Sequence, residues 1–207
     1  MAKRKSSGRR PKRAKAAGPQ SGLGVRRTAD GRSWVLVHPR CARDRAEDLE
    51  EVREIIAAGE LEVAIDELRW LVGGCSEFIE AHSLLGELAL AEGEDVALAR
   101  GHFGVAVQLG LKALERAKAA GGPFDYSQRA NRSFFEAARG LVWCLATLKM
   151  FDKAEDVVAN VVKLDRRDPL ELRKLLDELR TGGLPIVDLL ADFGKRGPND
   201  EGRMTND

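Results

Sequence analysis

Between residues 44 and 180, apolar side chains recur three and four positions apart, the spacing that lines one face of an α-helix. The first stripe is Leu49, Val52, Ile55 and Ile56, and it stops at Gly59. The second, Leu61, Ala64, Ile65, Leu68 and Leu71, stops at Gly73-Gly74, where glycine readily takes the left-handed turn that closes a helix. The third runs through Ile79, His82, Leu85, Gly86, Ala89 and Leu90 to Gly93, with Ser76 as its predicted cap. The fourth carries Val96, Ala99, Phe103, Ala106 and Val107. The order then breaks over residues 115–132, where Gly121-Gly122-Pro123 marks a loop. Asp44–Glu47, Ser133–Glu136 and Asp152–Glu155 read as capping boxes, in which a short polar side chain and a Glu three residues later satisfy the free N–H groups of a first turn. Asp168-Pro169 opens a last helix with Leu172, Leu175, Leu176 and Leu179 on one face, and Gly182-Gly183 closes it. Residues Leu184–Phe193 have the pattern of one more short helical turn. The run Ser33–Pro39 (SWVLVHP) reads as an extended segment with no strand to pair with, packed on the helices.

These elements pair and the pairs repeat. Each second helix has a small residue followed by apolar residues four and seven positions on: Ala64–Leu68–Leu71, Ala99–Phe103–Ala106 and Ala154–Val158–Val161. His82–Leu85–Gly86–Ala89 and Ala138–Leu141–Val142–Leu145 share one spacing in the first helices. Small side chains let helices approach closely and larger ones fill the gaps, so each pair is suited to stack on its neighbour. With Phe134 to Pro169 as its best segment, ending KLDRRDP, the pattern resembles the tetratricopeptide repeat family. Ala64 and Ala154 stand at that family's small position in the second helix, and Gly86 at the one in the first. Repeat one spans about 45–76 and repeat two about 79–111, and the interruption at 115–132 separates them from repeat three. The resemblance implies an all-α fold: antiparallel helix pairs stacked as a short α-solenoid of the tetratricopeptide type, with a C-terminal capping helix. An ordinary helical bundle is the competing reading.

Charge changes the picture at the N-terminus. The chain of 207 residues has a formal net charge of +1, with 34 Lys/Arg against 33 Asp/Glu. Ten of the basic residues lie in the first 27 positions, so the body is acidic and the arm strongly basic. Residues 1–32, rich in Lys, Arg, Gly, Ser, Ala and Pro, are expected to be a disordered basic arm, 33–43 an extended segment, 44–193 the repeat domain with its insertion at 115–132, and 194–207 a disordered polar tail. The arm's Lys3, Arg4, Lys5, Arg9, Arg10, Lys12, Arg13 and Lys15 suit non-specific contact with a phosphate backbone through counterion release. A solubilising tail, or an arm folded over the protein's own acidic groove, are the alternatives. No apolar run is long enough for a membrane span, and no apolar stretch follows the basic start as in a secretory signal. Three cysteines (Cys41, Cys75 and Cys144) are an odd, sparse set, which argues against a disulfide framework and for a reducing, cytoplasmic setting.

Members of the resembled family are usually non-enzymatic scaffolds that hold a protein segment in a groove lined by the first helices. Carried onto this chain, the groove positions are Arg53, Glu80, Ser83, Glu87, Glu136, Arg139 and Trp143. Ser83, Glu87, Arg139 and Trp143 stand where some members clamp a C-terminal carboxylate with Lys, Asn and Arg, which speaks against that use here. An acidic groove suits a basic or Arg-containing segment, with Trp143 either stacking on it or packing in the core. Glu80, Glu87 and Glu136 are equally readable as solvated helix faces. The chain has no GxSxG, phosphate-loop or HExxH motif, and neither catalysis nor a cofactor is expected. His38, Cys41, Cys75 and His82 have a loose ligand spacing without a CxxC pair, so no metal is expected either. Residues Pro123–Arg132 of the insertion either touch a partner or cover a helix end. The expected function is protein–protein interaction as an adaptor, partner unnamed, with nucleic-acid or ribosome association through the arm as the alternative.

Overall fold

The computed structural model describes residues 22–93, 95–119 and 122–182. The basic positions from Lys3 to Lys15, the Leu184–Phe193 segment and the 194–207 tail lie outside the described residues. The described chain is all-α apart from one small hairpin. Helices α2 (Ala46–Ala57) and α3 (Leu61–Gly74) form the first pair, α4 (Ile79–Gly93) and α5 (Val96–Arg116) the second, and α6 (Arg132–Thr147) and α7 (Phe151–Leu164) the third. The last described helix, α8 (Leu172–Thr181), packs on α6 and α7 as a cap. From the second pair on, the first helix of one pair contacts the next, α4 on α6 and α6 on α8, whereas the first pair meets the second through α3 on α4.

The repeat positions explain the stacking. Ala64, Ala99 and Ala154 are wholly buried, and Leu68, Leu71, Phe103, Ala106, Val158 and Val161 are buried beside them. Phe103 of α5 sits between two glycines. A Cβ at Gly86 of α4 would lie 2.8 Å from its ring, and one at Gly140 of α6 2.5 Å. The small residue in the first helix is thus a socket for a phenyl ring shared by adjacent pairs.

Two expectations at the N-terminus are corrected. The arm boundary at residue 32 falls inside a hairpin, because β1 (Gly24–Arg27) pairs antiparallel with β2 (Trp34–Val37), Val25 opposite Leu36. Residues 33–37 therefore do have a strand partner. Arg26 and Arg27 belong to β1, and the Arg27 guanidinium lies 4.7 Å from the centre of the Trp34 ring. The pairing was hidden because Val25 is the one large apolar residue in β1 and its support comes from a segment about 95 residues away. Leu36 N–H donates to Asn131 Oδ1 (2.9 Å), and Asn131 Nδ2 donates to the carbonyls of Trp34 (3.1 Å) and Asp125 (2.9 Å). Trp34 N–H donates to Pro123 O, and Ser33 Oγ to the same carbonyl. Asn131 is fully buried, so its amide spends its hydrogen bonds inside the protein. Residues 38–43 are also not simply extended, since Arg40–Asp44 form a short helix, α1.

The cysteine expectation is overturned as well. Cys41 at the start of α1 is bonded to Cys75 at the end of α3, with Cα atoms 5.7 Å apart. An odd count excludes full pairing, not one bridge. The third thiol, Cys144, is buried in α6 and pushed by that burial up to about 12. A ligand set using Cys41 and Cys75 is removed by the same bond, since their sulfurs hold each other.

Several helix starts shift. Asp44 lies in α1 rather than before α2, Ser133 lies inside α6 and Asp152 inside α7, and α2, α6 and α7 each start without a side-chain cap hydrogen bond. Two aspartates do cap. Asp95 accepts from Leu98 N–H, and Asp168 accepts from the N–H groups of Leu172 and Arg173, although Pro169 lies before the helix rather than at its first position.

Candidate interaction face on the first helices

The predicted groove residues come from α2, α4 and α6, the first helices of the three pairs. Arg53 on α2 pairs with Glu50 on its own helix (2.6 Å) and bonds across to Glu80 on α4. Burial works to lower the Arg53 pKa, but the carboxylates of Glu80, Glu50 and, from α6, Glu136 outweigh it and hold the group above its ordinary value. On α4, Ser83 Oγ donates to Glu87 Oε1 at 3.4 Å, one helical turn away. On α6, Glu136 accepts from the Tyr126 hydroxyl at 3.4 Å. Arg139 is half-buried, and its Nε donor is buried with no hydrogen-bond partner among the described residues. The structure thus joins Arg53 and Glu80 across α2 and α4, and Glu136 on α6 acts on Arg53 through its charge.

Trp143 is half-buried and packs against the main core. Beyond Arg53, the outer flank of α2 carries Glu47, Glu50, Glu51 and Glu54 around a shallow cleft of ≈450 Å³. This acidic end was missed by the sequence reading. The signal was the EDLEEVRE run, whose acids fall off the apolar stripe of α2.

The insertion is not a free loop. It is clamped between the hairpin and the Leu-Asp-x-x-Asp-Pro turn. Phe124 N–H donates to Leu164 O, and Tyr126 N–H donates to the Asp165 carboxylate at 3.1 Å. Asp165, 4% exposed, also accepts from the Arg167 guanidinium at 2.8 Å, and the same guanidinium reaches Asp125. The Arg167 guanidinium bond holds the Asp165 carboxyl below the usual range, against its burial. The insertion therefore covers the helix ends, and through Tyr126 it also reaches the face at Glu136, a role the sequence did not reveal.

Among the described residues no group of three or more His, Cys, Asp or Glu is arranged to hold a metal ion, and no helix is long and apolar enough to cross a membrane. Compared with protein-family models, with curated proteins and with solved structures, the chain matches none.

Proposed function

We propose that this protein is a non-enzymatic helical-repeat scaffold of tetratricopeptide type that holds a basic segment of another protein along α2, α4 and α6. The observation that carries the reading is the Arg53–Glu80 bond between the first helices of two successive pairs, with Glu136 of the third pair adding to the field that favours the Arg53 cation. A structural row of this kind on a solenoid's inner helices is a recognition surface because each pair adds one step to it. Glu80, Glu87 and Glu136 outnumber Arg53 and Arg139, and the acidic flank of α2 extends the same sign outward, so the complementary segment is Lys/Arg-bearing. The Cys41–Cys75 bond weighs against a cytoplasmic setting and for an oxidising one.

The test is binding of a fluorescent Arg/Lys peptide to the full chain and to a Glu87→Gln/Glu136→Gln variant whose circular dichroism is unchanged. Glu87 and Glu136 are half-buried, and each charge pair lost should weaken binding by about twofold to fivefold. Equal affinity of both proteins removes the reading. Binding of single-stranded RNA that falls steeply with salt and survives both substitutions would transfer the function to the basic arm.

A further inference from the structure

Among the described residues, the last helix of the stack, α8, has no second helix of its own pair beside it. The first helices α4 and α6 are each packed by the second helix of their own pair, α5 and α7. Helix α8 stands in the first-helix place of a fourth pair, packs on α6 and α7, and is followed by Gly182 in the left-handed conformation (φ +80°). A cleft of ≈610 Å³ opens between α7 and α8. Val158, Ala159, Val162 and Leu176 line its floor, and its rim carries Lys163, Arg166, Arg173 and Arg180 against Glu155 and Asp177. Arg180 and Glu155 bond to each other, which leaves the rim's excess charge basic.

The chain that continues beyond Gly182 is Gly183 and then Leu184–Phe193, LPIVDLLADF. In it Ile186, Leu189, Leu190 and Phe193 repeat the spacing of Leu172, Leu175, Leu176 and Leu179, the buried stripe of α8. Its only charges, Asp188 and Asp192, are opposite in sign to the rim's excess. Ten residues of helix are about 15 Å long, and α8 itself has ten residues, so a chain reversed at the two glycines runs back along the whole cleft.

We propose that residues 184–193 fold as the second helix of a fourth pair and occupy the cleft between α7 and α8 in the same molecule. The occupant is this chain's own segment rather than a partner because the cleft begins where that segment is tethered, and a tether this short raises its local concentration far above that of a free competitor.

Hydrogen exchange on the full chain tests it. Amides 186–193 should exchange at least about tenfold more slowly than coil rates. Two variants should each return them to coil rates: Leu189→Ser/Leu190→Ser in the segment, and Ala159→Glu, which charges the cleft at an exposed position without touching the core. Residues 172–181 should then exchange faster in both, while 132–147 stay protected. Coil-rate exchange of 186–193 in the unaltered chain overturns the proposal. So does protection that survives Ala159→Glu, which would put the segment elsewhere, or protection that fades on dilution from 100 to 1 µM, on the order of a weak dimer's dissociation range, which would make the occupant a second copy.

Discussion

At the scale of single residues, the protein rests on a few side chains with no room to change. Gly86 and Gly140 hold the Phe103 ring from both sides, and the ring is backed by the rest of the α4–α5–α6 core. An added methyl at either must push a ring buried to 1% exposure. Overpacking of this kind costs about 1–3 kcal/mol. Gly140→Ala and Gly86→Ala should each lower the urea midpoint accordingly, whereas Gly101→Ala, with open space around it, should not lower it. Asp165 gives a pH signature. Its folded pKa lies below the ordinary 3.8, so its contribution is fully present above that value and is lost as the pH falls through the lower folded one. Asp165→Asn should lose about 1–3 kcal/mol at neutral pH and flatten the acid limb of the stability profile. His82 and His102, 6.0 Å apart and both lowered mainly by burial, act higher on the scale: stability should begin to fall as the pH drops below about 6.5.

At the scale of elements, the helices were legible and their ends were not. The apolar stripes at Leu49–Ile56, Leu61–Leu71 and Leu172–Leu179 name the buried faces because burial is periodic and local. The caps failed at Ser133 and Asp152 because a capping box marks a chemical opportunity that a neighbouring backbone can make unnecessary. The hairpin was illegible for a stronger reason. A lone two-stranded ribbon is marginal in water, and this one depends on Asn131 and Pro123 from the insertion. Asn131→Ala removes three hydrogen bonds at once and leaves Leu36 N–H buried without its acceptor. It should cost about 2–3 kcal/mol and release residues 24–37, seen as faster amide exchange there with α7 unchanged. The face positions carried over from the resembled repeat all lie on the first helices, α2, α4 and α6. Tyr126 was not legible in the sequence, since only the fold carries it to Glu136.

At the scale of the whole molecule, the described residues form two cores. One is built from α1, α2, α3 and one side of α4, around Leu49, Leu68 and Leu84, and contains Cys75. The other runs from the hairpin through α5 to α8. The disulfide closes a loop around the first pair alone, with 34 residues of separation, and closure of that length contributes about 4 kcal/mol in the chain-entropy picture. Reduction should therefore loosen 46–74 selectively, measured as lost amide protection there while 132–164 keep theirs. Uniform loss along the chain would mean that the two cores melt as one. The hairpin, the insertion and the Asp165 turn all lie along the edge where α4, α6 and α8 begin, tied by hydrogen bonds between distant segments. At the opposite edge, the backbone hydrogen bonds of the turns at Gly59 and Lys149 stay within their own helix pair, from Glu60 N–H back to Ile55 O and from Ala64 N–H to Glu60 O, and likewise from Met150 N–H to Leu145 O and from Ala154 N–H to Met150 O. The described part of the molecule is thus stitched like a book along its spine, and in amide exchange its leaves should part first at the turns of the free margin, by fanning rather than by sliding.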